Sequence, residues 1–444
     1  MTSHWSRRAI LHAAATLAGG GSGLWLAGCS GSSPALSPAT GPLAASTSLL
    51  DGAATPSPET VPAAVTTVAS TDVPATFAPG VEYPRANRPA TLPDNGLVPV
   101  DESAAVEAGP LRIFIYPDYI GPDVVAAFEA AAGTTVEITT FDEVAEAEAT
   151  LRDGASTFDL VIGLPSVVIT GLVVAAAVQP LNPALIPNAG NVLGGLQSPY
   201  YDVGAQYSMP YSVYTTGISY RRDQVSESLF NRDDAWPLLW DPQYAGKVGL
   251  LPDVRDGLAL GLLVNGVTDL NVEDPASVDA AAAVLETLVA TMRPVFDIYS
   301  YENIPTGVTQ MQQAWSGDMG TARNFLQPGQ STEILGYWHP TRAPISNDLM
   351  MIPARAANRI LAHQFIDFML DPPNARANFD YVGYQPAVTN PSAYDLTSSG
   401  AVAEHLLATL VYDADVTIGY RIDPVAPVVQ SLWETAWLRV NPGG

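Results

Sequence analysis

The sequence predicts an α/β protein, and three observations lead to that class. From Leu111 onward, short β-branched or apolar runs alternate with amphipathic stretches at helical spacing. Before them, residues 30–110 are rich in Ala, Pro, Ser and Thr and poor in aromatics. At the start, a basic and apolar leader closes on Cys29, the single cysteine of 444 residues. Strands alternating with helices of this length imply parallel pairing through right-handed crossovers.

The leader comes first. Arg7 and Arg8 precede an apolar stretch that ends in Leu26-Ala27-Gly28-Cys29. A basic start, an apolar middle and small residues before the processing point are the parts of an export signal. Small side chains let a peptidase approach the backbone, and the thiol is the nucleophile that takes up a lipid. Residues 1–28 are therefore expected to be a lipoprotein signal peptide, with Cys29 as the lipidation site. The segment Ser6-Arg7-Arg8-Ala9-Ile10-Leu11 resembles a twin-arginine signal. A plain membrane anchor is the alternative, since roughly 20 apolar residues span a bilayer. The glycines at 19, 20, 21 and 23 weaken such a helix. Residues 29–110 read as a disordered tether, because stretches such as Ala53-Ala54-Thr55-Pro56-Ser57-Pro58 bury too little apolar surface to offset the entropy of ordering. A flexible chain of about 80 residues spans on the order of 50 Å.

The body follows. Leu111 to Tyr116 reads as a strand. Pro122 suits a first helical turn and Gly133 the position just past its end; between them Val124, Val125, Phe128, Ala131 and Ala132 share one face. Thr135 to Thr140 is strand-like, Glu143 to Arg152 helical, and Phe158 to Ile162 a short buried strand. Further on, Val248 to Leu251 predicts a strand, and Asp274-Pro275 opens a helix over 276–292. Leu349 to Ile352 predicts another strand, and helices are expected over 356–370 and 428–439. No internal repeat is present.

Composition removes several functions. A net charge of -26 argues against nucleic acid, whose phosphates need Lys and Arg. The acidic excess favours a cationic ligand by steering, and it serves equally as a solubility device. Lys247 is the only lysine and stands in no catalytic motif. With one cysteine, no internal disulfide forms. There is no Gly-x-Ser-x-Gly elbow, no Ser-x-x-Lys and no His-Glu-x-x-His. The histidines at 4, 12, 339, 363 and 405 are scattered, so no metal site is expected. Neither an enzyme nor a cofactor is anticipated.

An ordered set of segments carries a family resemblance. Tyr116-Pro117-Asp118-Tyr119-Ile120, Phe158-Asp159-Leu160-Val161-Ile162 and Gln179-Pro180-Leu181-Asn182 come first. Tyr207-Ser208-Met209-Pro210-Tyr211, Thr215-Thr216-Gly217-Ile218 and Trp236 to Tyr244 follow, then Asp348 to Pro353 and Val382-Gly383-Tyr384. Together they resemble the spermidine/putrescine-binding proteins of ABC importers, from Leu111 to the end. The resemblance implies a type II periplasmic-binding-protein fold, with two α/β lobes and the ligand in the cleft between them. Lobe one would comprise 111–214 with 347–394, and lobe two 215–346 with 395–444. The chain would cross near Val213–Thr215, return near Ser346 and cross again near Tyr394. Such proteins close by hinge motion. The implied setting is extracytoplasmic, lipid-anchored to the outer face of the cell membrane, with an ABC permease as partner.

A polyamine needs carboxylates at amine spacing, because a buried ammonium without a partner costs several kcal/mol. It also needs apolar or aromatic walls, each cation–π contact contributing about 0.5–2 kcal/mol. Carried over position by position, the family's carboxylates fall on Asp118, Asp253, Asp256 and Asp348. Its aromatic walls fall on Tyr116, Tyr119 and Tyr384, with Phe325 in place of a tryptophan. Other roles remain open: Asp118 as a helix cap, and Asp253 and Asp256 as a solvated surface group with Arg255. Three departures stand out. Gly163-Leu164-Pro165-Ser166 replaces a serine and an aromatic, Ser346 stands where an aromatic is usual, and Arg421 occupies a position that is often neutral. A guanidinium in the cleft would repel an amine and pair with a carboxylate. The ligand would then be a shorter amine or a zwitterion, such as an amino-acid or opine-like compound. Alternatively Arg421 points outward or pairs with Asp423 or Asp415. A ligand sensor and an extracytoplasmic enzyme are the other functional classes; a neighbouring permease gene favours import and a histidine kinase gene favours sensing.

Overall fold

The computed structural model describes residues 84–154 and 157–442. The leader, the arginine pair, Cys29 and the tether as far as residue 83 lie outside the described residues.

The first half of the sheet is built from β1 (Leu111–Ile115), β2 (Val136–Thr140) and β3 (Leu160–Pro165). β1 pairs in parallel with both β2 and β3. Helices α1 (Pro122–Ala132) and α2 (Val144–Asp153) make the crossovers. Pro122 opens α1, and Gly133 ends it at φ 67, a left-handed turn that costs glycine little. The second half repeats the plan. β5 (Val248–Leu250) pairs in parallel with β6 (Val295–Phe296) and β7 (Met311–Trp315), while β8 (Leu335–Trp338) pairs elsewhere. Helices α3 (Val254–Val264) and α4 (Pro275–Met292) lie between β5 and β6. Asp274 caps α4 by accepting the Ser277 N–H at 2.8 Å.

Two antiparallel strands join the halves. β4 (Met209–Arg221) is 13 residues long and buried along nearly its whole length. Its first part, from Met209 to Thr215, pairs with β9 (Ile345–Met351), and β10 (Gln385–Pro386) pairs with it beside Ser212 and Val213. From Thr216 onward its partners are β7 and β8. The strand order therefore reads β2-β1-β3-β9-β4-β7-β5-β6. One core lies around β1, β3 and α1, and another around β5, α3, α4 and α5 (Pro427–Val440).

The N-terminal boundary differs from expectation. Residues 84–110 belong to the body, not to a disordered tether. Leu92 and Val100 are each 4% exposed, and Leu92 belongs to the apolar cluster that holds Phe114 and Val161. Glu107 accepts the Ile360 and Leu361 N–H groups at 3.2 and 3.1 Å, at the start of a helix over Arg359–Met369. Composition alone hides this because the contacts are few, well separated and made by an extended chain.

Candidate ligand-binding cleft

A narrow cavity of about 40 Å³ opens where the strands change partners. Its walls come from the segments that follow the carboxyl ends of β1, β5, β6 and β7, and from β3, β4 and β9 themselves. In open α/β sheets that location is the topological crevice where ligands bind.

Five residues lining the cavity are aspartates, and none is basic. Asp348, on β9, is 4% exposed and accepts hydrogen bonds from the Tyr119 hydroxyl at 2.7 Å and the Tyr214 hydroxyl at 2.8 Å. Burial pushes its pKa up to about 7 against the pull of those donors. Burial, with Asp348 alongside, also raises both tyrosines well above their ordinary value, so they stay protonated and donate. The Ser212 hydroxyl lies 2.6 Å from that of Tyr119.

Asp253 and Asp256 open α3. Asp253 is the N-cap and accepts the Arg255 and Asp256 N–H groups at 2.8 and 3.0 Å. Asp256 accepts from Thr216 Oγ1 at 3.0 Å, its carboxyl pushed up to about 7 by burial and by Asp253 beside it. Burial raises Asp253 too, against the two backbone donors. Asp253 thus combines a capping role with a place on the cavity wall. Asp118 lines the mouth, is solvent-exposed, and adopts φ 56, a left-handed conformation that Asp tolerates.

The aromatic walls are Tyr116, Tyr119, Tyr214, Tyr301, Trp315 and Tyr384. Tyr119 meets Tyr384 edge to face at 4.8 Å between centroids. Gly163, at φ 102 beside a register shift in β3, lets the first two rings lie close; a Cβ there would come within 2.9 Å of Tyr116 and 3.4 Å of Tyr119. The absence of a side chain at this departure from the resemblance is thus occupied by tyrosine rings.

Asp318 and Trp315, like the wall residues Tyr214 and Tyr301, are not among the site residues expected from sequence. Asp318, 2% exposed, accepts from Ser300 Oγ at 2.5 Å and from the Tyr384 hydroxyl at 2.6 Å. Burial pushes its carboxyl up to about 7. Trp315, at the end of β7, supplies the indole wall. Trp315-Ser316-Gly317-Asp318 carries the available signal: an aromatic closing a strand, then a glycine and a carboxylate.

Two expected site residues lie elsewhere. Phe325 stands behind the wall, its ring 5.2 Å from that of Tyr301 in a separate apolar cluster. The indole of Trp315, not Phe325, faces the cavity. Arg421 donates to the carbonyls of Ile345 at 3.3 Å and Val416 at 3.0 Å, away from the cavity lining. Those backbone acceptors hold the guanidinium, so the charge expected to repel an amine does not line the cavity.

Residues 123–406 match the pattern of the bacterial extracellular solute-binding proteins. The chain belongs to that family. Its setting is extracytoplasmic, and it is a solute-binding protein of transport rather than an enzyme. The chain is 28% identical over 350 residues to the putrescine-binding periplasmic protein of Escherichia coli, covering 76% of this chain and 93% of the relative. A putrescine/cadaverine-binding protein of Pseudomonas aeruginosa is 27% identical over 290 residues, covering 63% and 79%. Among solved structures, a putative spermidine/putrescine ABC transporter protein from Listeria monocytogenes superposes with a TM-score of 0.65 at 26% identity, covering 74% of this chain and 98% of that one. The two-lobed architecture expected from the sequence is the architecture of these relatives.

Proposed function

We propose that this solute-binding protein captures a polyamine of the putrescine or spermidine class and hands it to the membrane permease of an ABC importer. The observation that carries this reading is a cavity lined by five aspartates and six aromatic rings with no basic residue. Protonated amines neutralise the carboxylates, and the rings take the methylenes and the cation faces. The displacement of Arg421 from the cavity removes the reason for preferring a zwitterion. We assign the lobes as 111–214 with 347–394 and 215–346 with 395–444, so that the hinge runs through β4 and β9. The cavity is narrow, about 40 Å³, and parting of the lobes would widen it for entry of a polyamine. We further assign Cys29 as the lipid attachment site after removal of residues 1–28 by way of a twin-arginine signal.

Calorimetry on the chain from residue 29, carrying Cys29→Ser to keep it soluble, tests the ligand. Putrescine, cadaverine, spermidine, arginine and an opine form the panel. Binding of the amines at micromolar or tighter affinity is expected. A carboxylate-bearing compound binding more tightly than every polyamine would overturn the assignment. For the anchor, Cys29→Ser in cells should abolish labelling by a fatty-acid analogue, and Arg7→Lys with Arg8→Lys should block export.

A further inference from the structure

Residues 85–92 touch both lobes by a route separate from β4 and β9. At one end Leu92 is buried in the apolar cluster of the first lobe that also holds Phe114 and Val161, and Tyr207 donates to the Pro93 carbonyl at 3.0 Å. At the other end Arg85 meets the second lobe. Its guanidinium donates to the Asn271 carbonyl at 3.3 Å and pairs with Glu273, and the Ala86 N–H donates to Asp423 Oδ2 at 3.2 Å. A tight turn, closed by the reciprocal backbone bonds of Arg85 and Arg88 at 3.0 and 2.8 Å, presents both groups.

We propose that this segment is a strap that holds the two lobes together and releases at its Arg85 end. The two ends differ in kind. Leu92 is held by apolar burial. The Arg85 end is polar and lines an open surface depression shared with residues 268–273 and 419–423. Exposed ion pairs are weak, and Glu273 is 57% exposed, so this end gives way first. Reach sets the limit: seven residues span at most roughly 24 Å when fully extended, and the turn uses part of that.

The seat of the strap is coupled to the cleft. Asn271 Oδ1 accepts from Arg255 Nη2 at 2.9 Å and from the Asp423 N–H at 2.7 Å. Arg255 lies in the same first turn of α3 as Asp253 and Asp256. A ligand that draws those two carboxylates toward the first lobe therefore also sets the seat that Arg85 grips. The strap favours the closed arrangement, and because its grip is weak the shift is several-fold rather than absolute.

Pulsed electron resonance between spin labels at Asp123→Cys on α1 and Ala283→Cys on α4, in full-length protein with Cys29→Ser, reads the lobe separation without any ligand. Arg85→Ala with Ala86→Pro removes the guanidinium and the N–H donor; Glu273→Ala removes the ion pair from the seat side and leaves the strap unaltered. Both variants should add a second, displaced distance population, and the double variant should release putrescine several-fold faster. Distance distributions that superimpose on the parent in both variants would overturn the strap. The distance measurement stands even if putrescine does not bind, which separates this outcome from failure of the polyamine reading.

Discussion

Tyr384 donates a 2.6 Å hydrogen bond to Asp318, a residue 66 positions earlier in the chain. The ring of Tyr384 rests on Gly317, where any side chain would collide with it. The carboxylate and its donor are thus set together by a close backbone approach. Tyr384→Phe leaves the ring and removes the donor, at a cost of about 1.5–3 kcal/mol for a hydrogen bond to a charged group. That cost falls on the folded chain, so the melting temperature should drop, and polyamine affinity should weaken by calorimetry because the Asp318 carboxyl loses the donor that holds it in place.

Asp348→Asn keeps the shape of the side chain and removes its charge. Losing one partner of a buried charge pair costs about 2–5 kcal/mol, or roughly 30-fold to several-thousand-fold in affinity. Retention of binding within threefold would take Asp348 out of the site.

The pH dependence follows from the same carboxyls. Asp256, Asp318 and Asp348 rise from an ordinary value of 3.8 to about 7 in the folded chain. Between pH 4 and 7 the folded state therefore binds more protons than the unfolded state, and these groups lower stability as pH rises through that window. The stabilisation they give is full below pH 4 and lost above about 7. An ammonium ligand needs them ionised, so affinity should weaken as pH drops below 7, by up to about tenfold per unit for each carboxyl that must lose its proton. Calorimetry at pH 6 in buffers of different ionisation enthalpy should show protons released on binding.

Trp315 and Phe325 separate wall from support. Trp315→Ala removes a cation–π face of about 0.5–2 kcal/mol, so affinity should fall about two- to 30-fold. Phe325→Ala should lower the melting temperature, because its ring packs on Tyr301, and change affinity far less than Trp315→Ala.

Arg421→Gln should give no gain in polyamine affinity. It should instead cost about 1–3 kcal/mol of stability, because the carbonyls of Ile345 and Val416 lose a charged donor. A tenfold gain in putrescine affinity would show that Arg421 reaches the ligand.

Much of the fold was legible because its elements carry local signals. Pro122 and Gly133 bracket α1 within a residue of expectation, and Asp274-Pro275 opens α4. β4 was legible only as a crossing near Val213–Thr215, since a strand buried on both faces shows no alternation. In the site, the anticipated Asp253, Asp256 and Asp348 line one cavity. Asp318 has only the short Trp315-Ser316-Gly317-Asp318 run to mark it, and the partners that fix its role, Ser300 and Tyr384, are distant in sequence. Phe325 and Arg421 were misplaced for a related reason. A one-turn shift along a short irregular segment moves a side chain from cavity to support, and spacing alone does not register it.

The hydroxyls of β4 form a row. Ser212 and Tyr214 serve Tyr119 and Asp348, and Thr216 serves Asp256. They sit at every second residue, the period of a strand. Thr215, between them, turns its hydroxyl the other way, to within 3.2 Å of that of Tyr337. Deleting or inserting a single residue early in this strand would rotate the whole row and present Val213, Thr215 and Gly217 to the ligand instead. A loop elsewhere can lengthen without moving these hydroxyls, whereas a change of one residue within 212–216 moves them all.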